Sequence, residues 1–229
     1  MPCTLAFDTT TFNTAVAAVA DDDRFVELSD IPGPDGRPGH ASRALVLAED
    51  VLAGIGMDWG DVTGVAVAVG PGSFTGLRVG IATAKAIAFG LGVRVVGASS
   101  LEALVSGAEV ARGSRQSVGL IDARRGELYA TGSHGDEGER ILNPAAEESW
   151  TDSLPAGALC VGDGALLHAG LLAERGFEVP ESESPLHLIS ALQVARVGRR
   201  WPDGAEVLPH YLREADAVPT SERQKAGGR

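Results

Sequence analysis

The 229-residue chain holds only two cysteines, Cys3 and Cys160. Two thiols cannot make a disulfide framework, so stability must come from a buried core, and the pair reads as inert apolar side chains in a reducing compartment. Basic residues are scarce as well: 19 Lys and Arg stand against 31 Asp and Glu, a formal charge of −12. A phosphate backbone is repelled by such a surface unless its few cations share one face, which disfavours independent RNA binding. The apolar run at residues 64–70 is far too short to span a bilayer, and no basic segment followed by an apolar stretch precedes a cleavage site. A cytoplasmic protein with no membrane contact is expected. The histidines, His40, His134, His168, His187 and His210, stand at no metal-ligand spacing, so no metal site is expected.

What is present suits a packed α/β protein, since 44% hydrophobic residues can fill the core of one large domain or two small ones. Residues 4–7 form an apolar run that ends at Asp8, and a turn at 9–13 leads into the β-compatible residues 14–20. Residues 24–28 add a strand before a Pro/Gly-rich loop at 31–39. Leu45, Ala48, Leu52 and Ile55 recur at helical spacing over residues 42–55. A near-continuous apolar strand at 64–69 then precedes a helix over 74–91, with Leu77, Ile81, Ala84, Ala88 and Leu91 on one stripe. Residues 93–96 make the next strand, and Ser99 with Glu102 makes a capping box for a third helix.

The opening recurs near the midpoint: an apolar run at 118–121, Asp122, a turn at 123–126 and a strand at 127–131. The run 158–161 follows, then the turn Gly162-Asp163-Gly164 and a helix over 165–175. Ser184 as N-cap with Pro185 behind it starts a last helix that carries Leu188, Leu192 and Ala195. No counterpart of the 42–55 helix appears between 131 and 158, so the second half is a shortened copy of the first. Periodicity alone leaves two architectures open, an actin-like duplicated fold and a single doubly wound sheet.

The glycine-rich segment at 70–80 follows a buried strand and opens a helix, where an anion can bind. Its spacing matches no Walker A loop, because Thr75 stands where the second Gly would, with no Lys after it. A Rossmann fingerprint and a nucleophile elbow fail on spacing too. Ser73 is therefore read as an N-cap. Gly76, Gly80, Ala84 and Ala88 form a line of small residues that lets another backbone approach closely.

With these residues in place, the sequence closely resembles the bacterial TsaB (YeaZ) family, a subunit of the machinery that makes N6-threonylcarbamoyladenosine in tRNA. The match runs through Leu5-Ala6-Phe7-Asp8-Thr9-Thr10, His40 with Ser42-Arg43, residues 70–85 and Val96 to Leu104. It continues through Asp122 to Ala130, Gly162-Asp163-Gly164-Ala165 and Tyr211-Leu212-Arg213. The resemblance implies an actin-like (ASKHA, ribonuclease H-like) duplicated α/β fold with a shortened second lobe. It divides the chain into a first lobe at 1–113, a degenerate second lobe at 114–216 and a disordered tail at 217–229.

The resemblance also implies a non-catalytic subunit that binds and activates its paralogue TsaD, with TsaE as a further partner and tRNA bound only through the complex. The reaction is threonylcarbamoyl transfer to adenosine 37 of tRNAs reading codons that begin with A, and the enzyme is the assembly. In the family the first two long helices make the contact, which assigns Leu45, Ala48, Leu52, Phe74, Leu77, Arg78, Ile81, Lys85 and Ala88 to the interface. Alone, the same surface self-pairs as a weak homodimer. The paired histidines of TsaD are missing, because Ala44 stands four residues after His40; His40 becomes a hydrogen-bonding residue at the helix start.

The candidates for a nucleotide, ATP or ADP at a subunit junction, are Asp8, Thr9, Thr10, Gly162 and Asp163, with Asp122 across the cleft. Ala123-Arg124 replaces a glycine turn there, so no intrinsic cofactor and no catalytic residue is assigned. The competing reading is a stand-alone metal-dependent peptidase or ATPase of the same fold, and a third is a small-molecule kinase relative. Arg124 and Arg125, and Arg196, Arg199 and Arg200, read as solvated charges with tRNA contact as the alternative. Asp21 to Asp23 and Asp136 to Glu139 read as solvated loop acids.

Overall fold

The alternation of large and small residues in the first strands decides the layering of the protein. A computed structural model describes residues 1–33, 36–113, 116–132, 138–147 and 149–213, and all structural statements concern these. β1 (Cys3–Asp8) pairs antiparallel with β2 (Thr14–Ala20) and parallel with β4 (Val62–Gly70). β3 (Phe25–Asp30) and β5 (Arg94–Ser99) complete a sheet of order β3-β2-β1-β4-β5. Leu5, Phe7, Val65, Val67 and Val69 point to one face, where α1 (His40–Ile55) and α2 (Phe74–Leu91) cover them. Ala6, Ala66 and Ala68 point to the other, and their small side chains let α6 (Ala191–Gly198) approach closely. Every residue of β2 is buried, as two covered faces require.

The second sheet has the order β8-β7-β6-β9, from β6 (Ser117–Arg124), β7 (Glu127–Gly132), β8 (Arg140–Leu142) and β9 (Leu159–Val161). β6 pairs antiparallel with β7 and parallel with β9, repeating the relations of β1 to β2 and β4. No helix separates β8 from β9 among the described residues except a 3-10 turn at Trp150–Ser153. The short α4 (Asp163–Leu167) and α5 (Ala169–Glu174) follow β9.

The two sheets share a helical layer. α3 (Ser100–Arg112) belongs to the first half by sequence yet packs on β6 and β7, whereas α6, from the second half, packs on β1, β2, β4 and β5. Leu101, Leu104, Ile189, Leu192 and Val194 join residues of both sheets in one core. A clean cut between the sheets would therefore strip helices from each.

Several local expectations change. The helix expected over 165–175 breaks at His168, whose ring sits edge-on to Trp150 at 5.3 Å. Ser184 does cap, but only the 3-10 turn Pro185–His187; Leu188 is extended, and the last helix starts at Ala191 with Ser190 as its N-cap. Ser99 accepts from the Glu102 amide, while the Glu102 side chain pairs with Arg200 instead of closing a capping box. Glu139 is no solvated acid: it is 14% exposed and faces Ser99 and His210. Asp136 and the tail lie outside the described residues.

The line of small residues on α2 is filled from within. A Cβ on Gly76 would overlap the Thr9 carbonyl, and one on Gly80 would overlap Thr9 Oγ1. Gly90, on the same helix, faces open space. Gly76→Ala should therefore destabilise the chain by about 3 kcal/mol or more, since backbone must move, while Gly90→Ala should stabilise it by about 0.5–1 kcal/mol. Urea unfolding of the three proteins checks both signs.

Candidate functional site

β1 ends at a turn that inserts into the start of α2. Thr9 Oγ1 donates to the Gly76 carbonyl (2.8 Å), and the Ser73 amide donates to the Thr10 carbonyl (2.6 Å). Ser73 Oγ accepts from the Gly76 amide and so caps the helix, as the sequence suggests. Asp8 Oδ1 accepts from both the amide (3.1 Å) and the hydroxyl (2.7 Å) of Thr10. Its Oδ2 has no partner, and burial pushes the carboxyl up to about 7 against the pull of the Thr10 bonds. His40 is the first residue of α1, two positions earlier than expected. It is buried, its Nδ1 shares a hydrogen bond with Thr14 Oγ1 (2.8 Å), and burial lowers its pKa.

A cleft of about 570 Å³ opens between the sheets, lined among others by Thr10, Ser73, Phe74, Asp122, Arg124, Asp163, Tyr211 and Arg213. Of the nucleotide candidates, Asp8 and Thr9 do not reach it; both are sealed under the turn. Thr10 and Asp163 line it, but Asp163 Oδ1 accepts from the Asp122 amide (2.9 Å), and burial raises its pKa. Asp122 is ion-paired with Arg124 at 2.9 Å. Gly162 is held by packing, since a Cβ there would overlap the Leu120 carbonyl. The two acids that the sequence set across a cleft are thus engaged locally, and no group of three metal-ligating side chains converges among the described residues. Cys3 and Cys160 are both buried, and burial pushes their thiols up to about 11 and about 12, which suits inert thiols.

The helix residues assigned to a partner divide by face. Ala48, Leu52, Leu77, Ile81 and Ala88 are buried against the chain's own sheet, so they cannot form a free surface. The same helical period that marks a contact stripe marks the core stripe, and here the core claims it. Leu45 is 47% exposed, Phe74 50% exposed, Arg78 exposed and Lys85 partly so. The outward stripe of α2 is Thr75, Arg78, Ala82, Ala86 and Phe89, with Phe89 91% exposed and no acidic residue among them. Ala82, Ala86 and Phe89 were not among the residues assigned from the sequence; the available signal was that this helix carries apolar residues beyond its core stripe.

Two sheets of matching strand order with helices exchanged between them, enclosing a cleft, define an actin-like fold. A family model described as TsaD, tRNA N6-adenosine threonylcarbamoyltransferase, matches residues 36–152. The tRNA threonylcarbamoyladenosine biosynthesis protein TsaB of Escherichia coli is 32% identical over 152 residues, covering 63% of this chain and 66% of that protein. An uncharacterised protein of Mycobacterium tuberculosis is 35% identical over 220 residues, covering 94% and 93%. YeaZ from Pseudomonas aeruginosa superposes with a TM-score of 0.73 at 24% identity, covering 93% of this chain and 100% of that one. The chain belongs to the TsaB (YeaZ) family.

The Asp8 carboxyl makes a pH signature. Its folded pKa of about 7 lies above the ordinary carboxylate value, so the folded chain holds the extra proton between about pH 4 and 7. The stability it lends is complete below that window and is lost as pH rises through it. Asp8→Asn keeps an acceptor for Thr10 and removes the titration. Relative to that variant, the wild type should lose about 2–4 kcal/mol of unfolding free energy from pH 4 to pH 8. A constant difference in urea midpoints across that range would refute it; His40 titrates in both proteins and cancels.

Proposed function

We propose that this chain is the non-catalytic subunit that binds and activates TsaD in forming N6-threonylcarbamoyladenosine at position 37 of tRNAs reading codons that begin with A. The observation that carries the reading is α2, an 18-residue helix apolar enough on both sides to pass for a membrane span. Its inner face is fixed in the core by Leu77, Ile81 and Ala84 against β4 and by Gly76 and Gly80 against Thr9, so it cannot leave the protein for a bilayer. Its outer face, with Ala82, Ala86 and Phe89, has the composition of a packed seam and is exposed among the described residues. Leu45 and Val46 of α1, 47% and 42% exposed, extend the seam. A second helix pair of the same fold fits it by four-helix packing, as the sequence relation to the TsaD model favours.

In this reading catalysis lies with TsaD, TsaE and ATP or ADP sit at the junction, and tRNA is held by the whole assembly in the cytoplasm. The free chain pairs weakly with a second copy through the same helices. A stand-alone peptidase or ATPase draws no support from the cleft, whose acids are engaged by Arg124 and by the Asp122 amide.

Ala82→Glu and Phe89→Asp place charge on the seam without touching the core, so each should fold normally and weaken TsaD binding by about tenfold or more. Isothermal titration with purified TsaD, with circular dichroism as the folding control, measures this. Wild-type affinity in both folded variants would sink the proposal. Ile81→Asp is not a usable probe, because Ile81 is 5% exposed and the change would unfold the chain.

A further inference from the structure

Residues 207–213 run as a strap from the first lobe to the second across the lip of the cleft. Val207 is buried in the core beneath α1 and α2. The His210 amide donates to the Val69 carbonyl at the end of β4 (2.7 Å). The His210 carbonyl lies so near Gly70 that a Cβ there would stand 2.6 Å from it, which explains why glycine opens the glycine-rich segment. The His210 ring faces Glu139 at 3.0 Å. At the far end, Arg213 Nη1 pairs with Glu127 Oε2 (2.6 Å), and Nη2 donates to the Ala123 carbonyl (3.0 Å), which ties the strap to the β6–β7 hairpin.

Between these anchors the strap meets the first turn of α2. The Tyr211 ring stacks on Phe74 with centroids 5.6 Å apart, and the Arg78 guanidinium lies 3.8 Å over the Phe74 ring. Arg78 Nε donates to Tyr211 Oη (3.1 Å) and closes the triangle. Phe74 is half exposed and Arg78 exposed, so Tyr211 supplies much of what confines them.

We propose that this strap presets the partner-facing start of α2, with Tyr211 and Arg213 as positioning residues for TsaD binding. The inference rests on the docking reading above and deepens it. Side chains already held in one arrangement lose less rotamer freedom when a partner arrives, so the strap contributes affinity without needing contact of its own. The anchor at Arg213 makes the arrangement depend on the second lobe as well as the first.

The test uses the full chain and purified TsaD. Tyr211→Ala should speed amide hydrogen exchange in the first turn of α2 and weaken TsaD binding about fivefold to twentyfold, with Tyr211→Phe, which keeps the stack, recovering most of the loss. Glu127→Gln, which loosens the remote anchor, should weaken binding by about twofold to fivefold, with Arg213→Ala similar. In a double-mutant cycle, Tyr211→Ala and Phe74→Ala should be non-additive, because Tyr211 acts through Phe74. Additive effects, or unchanged exchange at 74–78 with unchanged binding, would overturn the strap and leave the docking reading standing if Ala82→Glu still weakens binding. Wild-type binding by Ala82→Glu would overturn both. Should Tyr211→Ala fail to fold, Glu127→Gln and Tyr211→Phe carry the same measurements.

Discussion

The insertion of the Thr9–Thr10 turn into the notch at the start of α2 is the contact on which the rest of the first lobe depends. It fixes the end of β1, the central strand, against the helix that carries the proposed docking face. The notch exists because Gly76 and Gly80 lack side chains where the Thr9 carbonyl and hydroxyl must lie. Helical glycine costs about 1 kcal/mol against alanine, and here the cost is offset by hydrogen bonds from Thr9 to Gly76 and from Ser73 to Thr10. Burying Asp8 beneath the same turn adds a further penalty, which shows as a raised carboxyl pKa and is offset in part by two bonds from Thr10.

That contact also bears on chemistry. In a turn open to the cleft, an Asp followed by two Thr residues is a fair site for phosphate and metal. Here the helix of the same chain occupies the turn, and Asp8 and Thr9 are sealed. The matching position in the second lobe is likewise engaged, with Arg124 on Asp122 and the Asp122 amide on Asp163. The cleft keeps its volume and its hydroxyls, but its carboxylates, Asp122 and Asp163, hold the second lobe's turn in shape, as the sealed Asp8 holds the first lobe's. Meanwhile the apolar surface left over lies outside the cleft, along α2, which is why the proposed function is assembly.

The shared layer of α3 and α6 makes the two lobes interdependent. Each sheet is covered by a helix from the other half, and the strap at 207–213 adds a third crossing through Arg213 and Glu127. A shortened second half is tolerable in such an arrangement, because the first half lends it α3. The absence of a counterpart to α1 among the described residues removes a helix from the second lobe's outer side, where the 3-10 turn at Trp150 and the short α4 and α5 stand instead.

Much of this was legible in the sequence because strands of alternating Val and Ala, glycine after α1, α2 and α3, and Ser before α2, α3 and α6 act locally. The run of motifs identified the family, and β1, β2, β4, α2 and the Ser73 cap follow from period and capping chemistry. The broken helix at His168 and the late start of α6 were not legible. Ser184-Pro185 and Ser190 are equally good caps, and only packing on the first sheet selects Ser190. The proposed docking residues were half legible for a similar reason. A helical stripe says that one face is buried without saying by what, and Leu77 and Ile81 turned inward while Ala82 and Phe89 turned out. Composition made α2 long and largely apolar; tertiary structure decided which side the chain covers itself, because only there do β4 and the Thr9 turn come within reach.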